Sequence, residues 1–113
     1  MADSYLTDFD PELANHALEI AIEWGPNRRR PILERLAESC PHLHQLEVER
    51  YAGIAQDVEK RCFALVQAKV DAVGCGYSEL LADCREMVVS EFPWLSEKNI
   101  AHLLTQGQYY ACR

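Results

Sequence analysis

A chain of 113 residues, 49% apolar and 26% charged, is long enough for one hydrophobic core and has the composition of a folding sequence. Its formal net charge of -7, from 18 acidic against 11 basic residues, repels phosphate backbones and anionic lipid, so nucleic acid and membranes are not expected partners. Residues 1–10 lack the basic-then-apolar order of a signal peptide, and the five cysteines (Cys40, Cys62, Cys75, Cys84, Cys112) show no C-x-x-C spacing, which predicts a cytoplasmic protein with reduced thiols.

The punctuation predicts an all-α single domain over residues 1–113, a bundle of five helices around one long central helix. The first helix is expected over 11–24: Asp10 caps it, Pro11 takes the first position, and Gly25-Pro26 stops it. Its polar stripe is narrow (Glu12, Asn15, His16, Glu19, Glu23), so the broad remainder should be buried. A second helix is expected over 27–39, with Pro31 in its first turn, Pro41 beyond its end, and Ile32, Leu33, Leu36, Ala37 and Cys40 on the apolar face.

The third segment, 44–73, carries a heptad-like seam of Val48, Tyr51, Ala55, Val58, Cys62, Leu65, Lys69 and Ala72. Phe63, Val66, Val70 and Val73 widen it, predicting deeper burial of the second half. A straight helix of that length spans about 45 Å, more than a domain of this size. It should bend, break near Gly53 or project, and a projecting seam is closed most simply by a second copy of the chain. The seam residues Val48, Tyr51, Ala55 and Val58 are the expected interface.

Gly74 and Gly76 end this helix around Cys75, and Ser78 is the expected cap of a fourth helix over 79–91, closed by Pro93. Ser96 opens a fifth over 97–106, with Gly107 ending it or fraying it into a tail of Tyr109 and Tyr110, expected to dock.

Two polar groupings compete with structural readings. Cys40, His42 and His44 place one thiol and two imidazoles within five residues, ligands suited to zinc, and Cys40-Pro41 also resembles a heme-responsive motif. A fourth metal ligand would have to come from His16, His102, or a distant cysteine or carboxylate. The structural alternative makes Cys40 the end of an apolar stripe and His44 a cap or surface residue, and it is the reading adopted. Arg28, Arg29 and Arg30 fall at a predicted helix start, where free N–H groups favour anions, although ion pairing with Glu34 explains them as well.

The turn between helices four and five has helix-turn-helix spacing, but the following helix offers only Lys98 and His102 as cations. Trp24, Trp94, Tyr5, Tyr109 and Tyr110 sit near segment ends, as core plugs or partner anchors. No catalytic constellation and no cofactor motif is recognised. The sequence therefore favours a non-enzymatic, self-associating protein–protein interaction or regulatory module. Its rival is a metal-, heme- or thiol-redox-binding protein using Cys40, His42 and His44.

Overall fold

The computed structural model describes residues 9–23 and 30–113. Among these the chain is all α: α1 (Pro11–Ala21), α2 (Ile32–Ser39), the long central α3 (Gln45–Val73), α4 (Leu80–Glu91) and α5 (Glu97–Cys112). α3 runs unbroken through Gly53 and contributes to each of two compact units, Met1–Ala55 and Gln56–Arg113. No helix of the described residues is long and apolar enough to cross a membrane.

In the first unit, the Asp10 carboxylate accepts the Glu12 N–H at 3.0 Å, the cap that opens α1 ahead of Pro11. Ala14, Ala17, Leu18 and Ile22 are fully buried, and Leu18 alone is worth about 2 kcal/mol of burial. α1 closes at Ala21, short of the expected 24, and residues 24–29 lie outside the described residues, with Gly25-Pro26 among them.

α2 also differs from expectation. It begins at Ile32, and Pro31 stands before it as the cap rather than inside its first turn. The cause is local: the proline ring disfavours helical backbone in the residue ahead of it, so Arg30 stays outside the helix. Its buried face is Ile32, Arg35 and Leu36, leading to Cys40, while Leu33 and Ala37 are exposed. The face is turned from the predicted one because Arg35 points inward, donating from Nη1 to the Ile20 carbonyl at 2.7 Å and from Nε to the Arg30 carbonyl at 3.1 Å. His16 and Ser39 add a 2.6 Å hydrogen bond between α1 and α2. Tyr51 of α3 accepts the Asp10 N–H at 2.9 Å, tying that helix to the start of α1.

In the second unit, Gly74 ends α3 with a φ of 85°, a left-handed conformation open to glycine, and its N–H reaches the Val70 carbonyl at 2.7 Å. Ser78 does not cap α4. It lies in a turn, Glu79 takes the cap position without a side-chain bond, and the helix starts at Leu80. Ser96 caps α5 as expected, accepting the Asn99 N–H at 3.2 Å. Leu80, Cys84, Val88, Phe92, Ile100, Leu103 and Leu104 form the core with Cys62 and Val66.

α5 continues past Gly107 to Cys112. A Cβ on Gly107 would lie 3.1 Å from Val66 Cγ2 and 3.5 Å from Phe63 Cδ1, so this glycine marks close approach of α5 to α3 and not a helix end.

Burial along α3 runs opposite to the prediction. Val48, Tyr51, Ala52, Ile54, Ala55 and Val58 are all buried, whereas beyond them Cys62 and Val66 are buried and Val73 is 39% exposed. The added residues Phe63, Val70 and Val73 flank the buried line or fall in the last turn.

The cysteines divide. Cys75 and Cys112 are joined in a disulfide, with Cα atoms 5.9 Å apart, while Cys40, Cys62 and Cys84 are buried thiols. The expectation of five reduced thiols is corrected for the first pair: the turn around Gly74 and the continuation of α5 bring the two residues together.

Candidate interaction surface

The residues singled out in the sequence occupy separate places. Cys40 is buried at the end of α2, while His42 and His44 are exposed. His44 caps α3: its carbonyl accepts the Val48 N–H at 3.0 Å, and its own N–H donates to Glu47 Oε1 at 3.2 Å, half of a capping box. Among the described residues no group of three His, Cys, Asp or Glu side chains is arranged to hold a metal ion. His16 bonds to Ser39, and His102 pairs with Gln106 one turn along α5.

Arg30 is engaged by two carboxylates, Glu38 and, at 2.5 Å, Glu34, whose hydrogen bonds raise its pKa above the ordinary arginine value. It lines an open depression of about 310 Å³ with Ile20, Glu23, Arg35, Glu38 and Ser39. Arg28 and Arg29 lie outside the described residues.

Val48, Tyr51, Ala55 and Val58 are between 0% and 5% exposed, packed inside the chain's own fold. A surface for a partner must therefore be sought elsewhere.

One end of the second unit groups exposed apolar and aromatic side chains. The Cys75–Cys112 bond joins the turn after α3 to the last turn of α5. Val73 and Tyr77 each lie two residues from Cys75, within about 7 Å along the chain, and Tyr109 lies one helical turn from Cys112. All three are exposed, at 39%, 38% and 54%. Behind them Tyr110 packs on Phe63 with ring centres 5.6 Å apart and on Tyr109 at 5.4 Å. The Arg113 guanidinium lies 6.0 Å from the Tyr109 ring centre and 5.5 Å from that of Tyr110.

Tyr77 is held from two sides. Its hydroxyl donates to Asp83 Oδ2 at 3.1 Å, and Lys69 Nζ lies 5.6 Å from its ring centre while pairing with Asp83 at 3.2 Å. The hydrogen bond to Asp83 raises the phenol pKa, so the ring stays neutral at physiological pH. Asp83 and Lys69 also border an open groove of about 500 Å³ with Leu65, Glu86, Met87, Ser90 and Glu91. Aromatic rings with few rotatable bonds beside an arginine are the residue types that carry binding energy at protein interfaces.

Sequence reasoning noted the glycine-flanked Cys75 and the tyrosine-rich end separately. It missed their union, which depends on α5 passing Gly107, and it missed Tyr77 and Arg35. Comparison with known proteins assigns no family, since no family model, no curated protein and no solved structure matches the chain.

Proposed function

We propose that this chain is a non-enzymatic protein-interaction module that self-associates through the aromatic end of its second unit. The observation carrying this reading is the exposure of Val73, Tyr77 and Tyr109 around the Cys75–Cys112 bond, with Arg113 over the rings of Tyr109 and Tyr110. A two-fold contact is self-complementary, so the electron-rich faces of Tyr109 and Tyr110 in one copy can receive Arg113 of the other. Charge favours this end over the rest of the chain. Residues 56–113 hold eight acidic against six basic side chains, so most of the net charge of -7 resides on residues 1–55.

Native mass spectrometry of the oxidised chain, purified without chelator, tests the proposal. A dimer at tens of micromolar is expected, reverting to monomer in Tyr109→Ser. A monomeric wild-type chain at that concentration would overturn self-association. A stoichiometric bound metal or heme mass would instead favour the rival reading and make Cys40, His42 and His44 the residues to substitute.

A further inference from the structure

We infer that the Cys75–Cys112 bond is a thiol–disulfide switch that holds residues 108–112 in α5 and releases them when reduced. Its consequence for binding rests on the interaction surface proposed above; the conformational change itself does not.

Three observations carry it. The bond is reachable, because Cys75 is exposed in a turn between two glycines and Cys112 is only half-buried. The other cysteines are not: Cys40, Cys62 and Cys84 are 7%, 0% and 0% exposed, so redox chemistry in the native chain is confined to one pair. Burial also pushes the Cys62 thiol up to about 12 and raises that of Cys84, which keeps both protonated and unreactive.

The third observation is the weakness of the helix that the bond secures. Gly107, a residue that disfavours helix, precedes this stretch. No residue from 108 to 112 is fully buried, and Tyr110 packs on Phe63 with ring centres 5.6 Å apart. Local sequence signals stop the helix near Gln106, yet α5 extends to Cys112, the residue bonded to Cys75. The bond joins positions 37 apart in sequence, so it ties a last turn with no fully buried residue to the turn after α3.

The exchange balances with a dithiol as reductant. One thiolate of the dithiol attacks a sulfur of the Cys75–Cys112 pair and forms a mixed disulfide, and its second thiolate then displaces the protein sulfur. Two electrons and two protons pass to Cys75 and Cys112, and the dithiol leaves as its own disulfide. A low-molecular-weight disulfide such as oxidised glutathione reverses the process.

The test is hydrogen exchange, read by mass spectrometry, on the full chain before and after dithiothreitol, with reduction verified by the gain of two hydrogens in intact mass. Backbone amides of residues 108–113 should exchange about tenfold faster or more after reduction and recover with oxidised glutathione, while α3 and α4 stay protected. Cys75→Ser should exchange like the reduced wild type without any reductant. Unchanged protection of residues 108–113 in the verified reduced chain would overturn the switch. So would loss of protection throughout the second unit, which would make the bond a staple of the fold. A monomeric oxidised chain would remove the self-association reading and leave this exchange result intact; a dimer that survives reduction with unchanged exchange would do the reverse.

Discussion

Arg35 Nη1 lies 2.7 Å from the carbonyl oxygen of Ile20, so a buried cation on α2 closes the last turn of α1. The site suits a cation, because the carbonyls of a helix's last turn carry partial negative charge. The same guanidinium reaches the Arg30 carbonyl and, at 3.4 Å, Glu23. Removing it leaves two carbonyls without this donor and opens space under α2. Arg35→Ala should cost about 2–4 kcal/mol in urea unfolding, with Arg35→Lys between it and wild type, since an ammonium cannot copy the fork. Glu23→Gln, on the exposed side of the pair, should cost less than about 1 kcal/mol. An Arg35→Ala chain as stable as wild type would show that the clasp contributes nothing.

Two glycines inside helices should respond to alanine with opposite signs. Gly53 has open space where its Cβ would stand, so Gly53→Ala should gain about 0.5–1 kcal/mol from helix propensity. At Gly107 the new methyl would meet Val66, a fully buried β-branched side chain with little freedom to move. There the steric cost should exceed the propensity gain and leave the variant about 1 kcal/mol less stable. Thermal melts of the two variants side by side decide the point; stabilisation by both would mean that α3 and α5 separate easily at this crossing.

The helices and most of their ends were legible because caps, glycines and prolines act locally. Asp10, Gly74 and Ser96 do in the structure what their types dictate. The errors arose where a distant partner overrides the local signal. Gly107 reads as a stop until Val66 is placed beneath it. Arg35 reads as surface until the end of α1 supplies carbonyls, and the turned face of α2 follows from that one residue. The seam of Val48, Tyr51, Ala55 and Val58 is buried within the chain, and sequence alone does not show this, because an apolar seam has the same pattern whether the chain's own helices or a second copy covers it. Of the proposed surface, only the tyrosines near the end of α5 stood out, since a pairing between residues 37 apart has no local signature.

Tyr51 separates these two readings of the seam. Its hydroxyl accepts the Asp10 N–H at 2.9 Å while its ring is buried. Tyr51→Phe preserves the packing and leaves that N–H without its acceptor, so stability should fall by about 1 kcal/mol. The loss should be the same at low and high protein concentration, as expected of an intramolecular contact. A loss that grows on dilution would return Tyr51 to an interface between copies.

Alkaline pH should weaken the fold through its buried thiols. Burial raises the Cys62 pKa from 9.0 to about 12, with the charge of Glu91 adding to the shift and Arg61 opposing it. The unfolded chain gives up this proton first. The stability contributed by the neutral thiol is therefore intact below about pH 9 and lost progressively as pH rises towards about 12. Cys84 acts in the same direction for the same reason, and Tyr77 joins above its ordinary value of 10.0, because its phenol donates to Asp83. Urea midpoints measured from pH 8 upwards should decline, and Cys62→Ala should decline less steeply despite starting from a lower stability. Parallel slopes for the two chains would show that Cys62 ionises in the folded state as readily as in the unfolded one, and that the interior around it admits water.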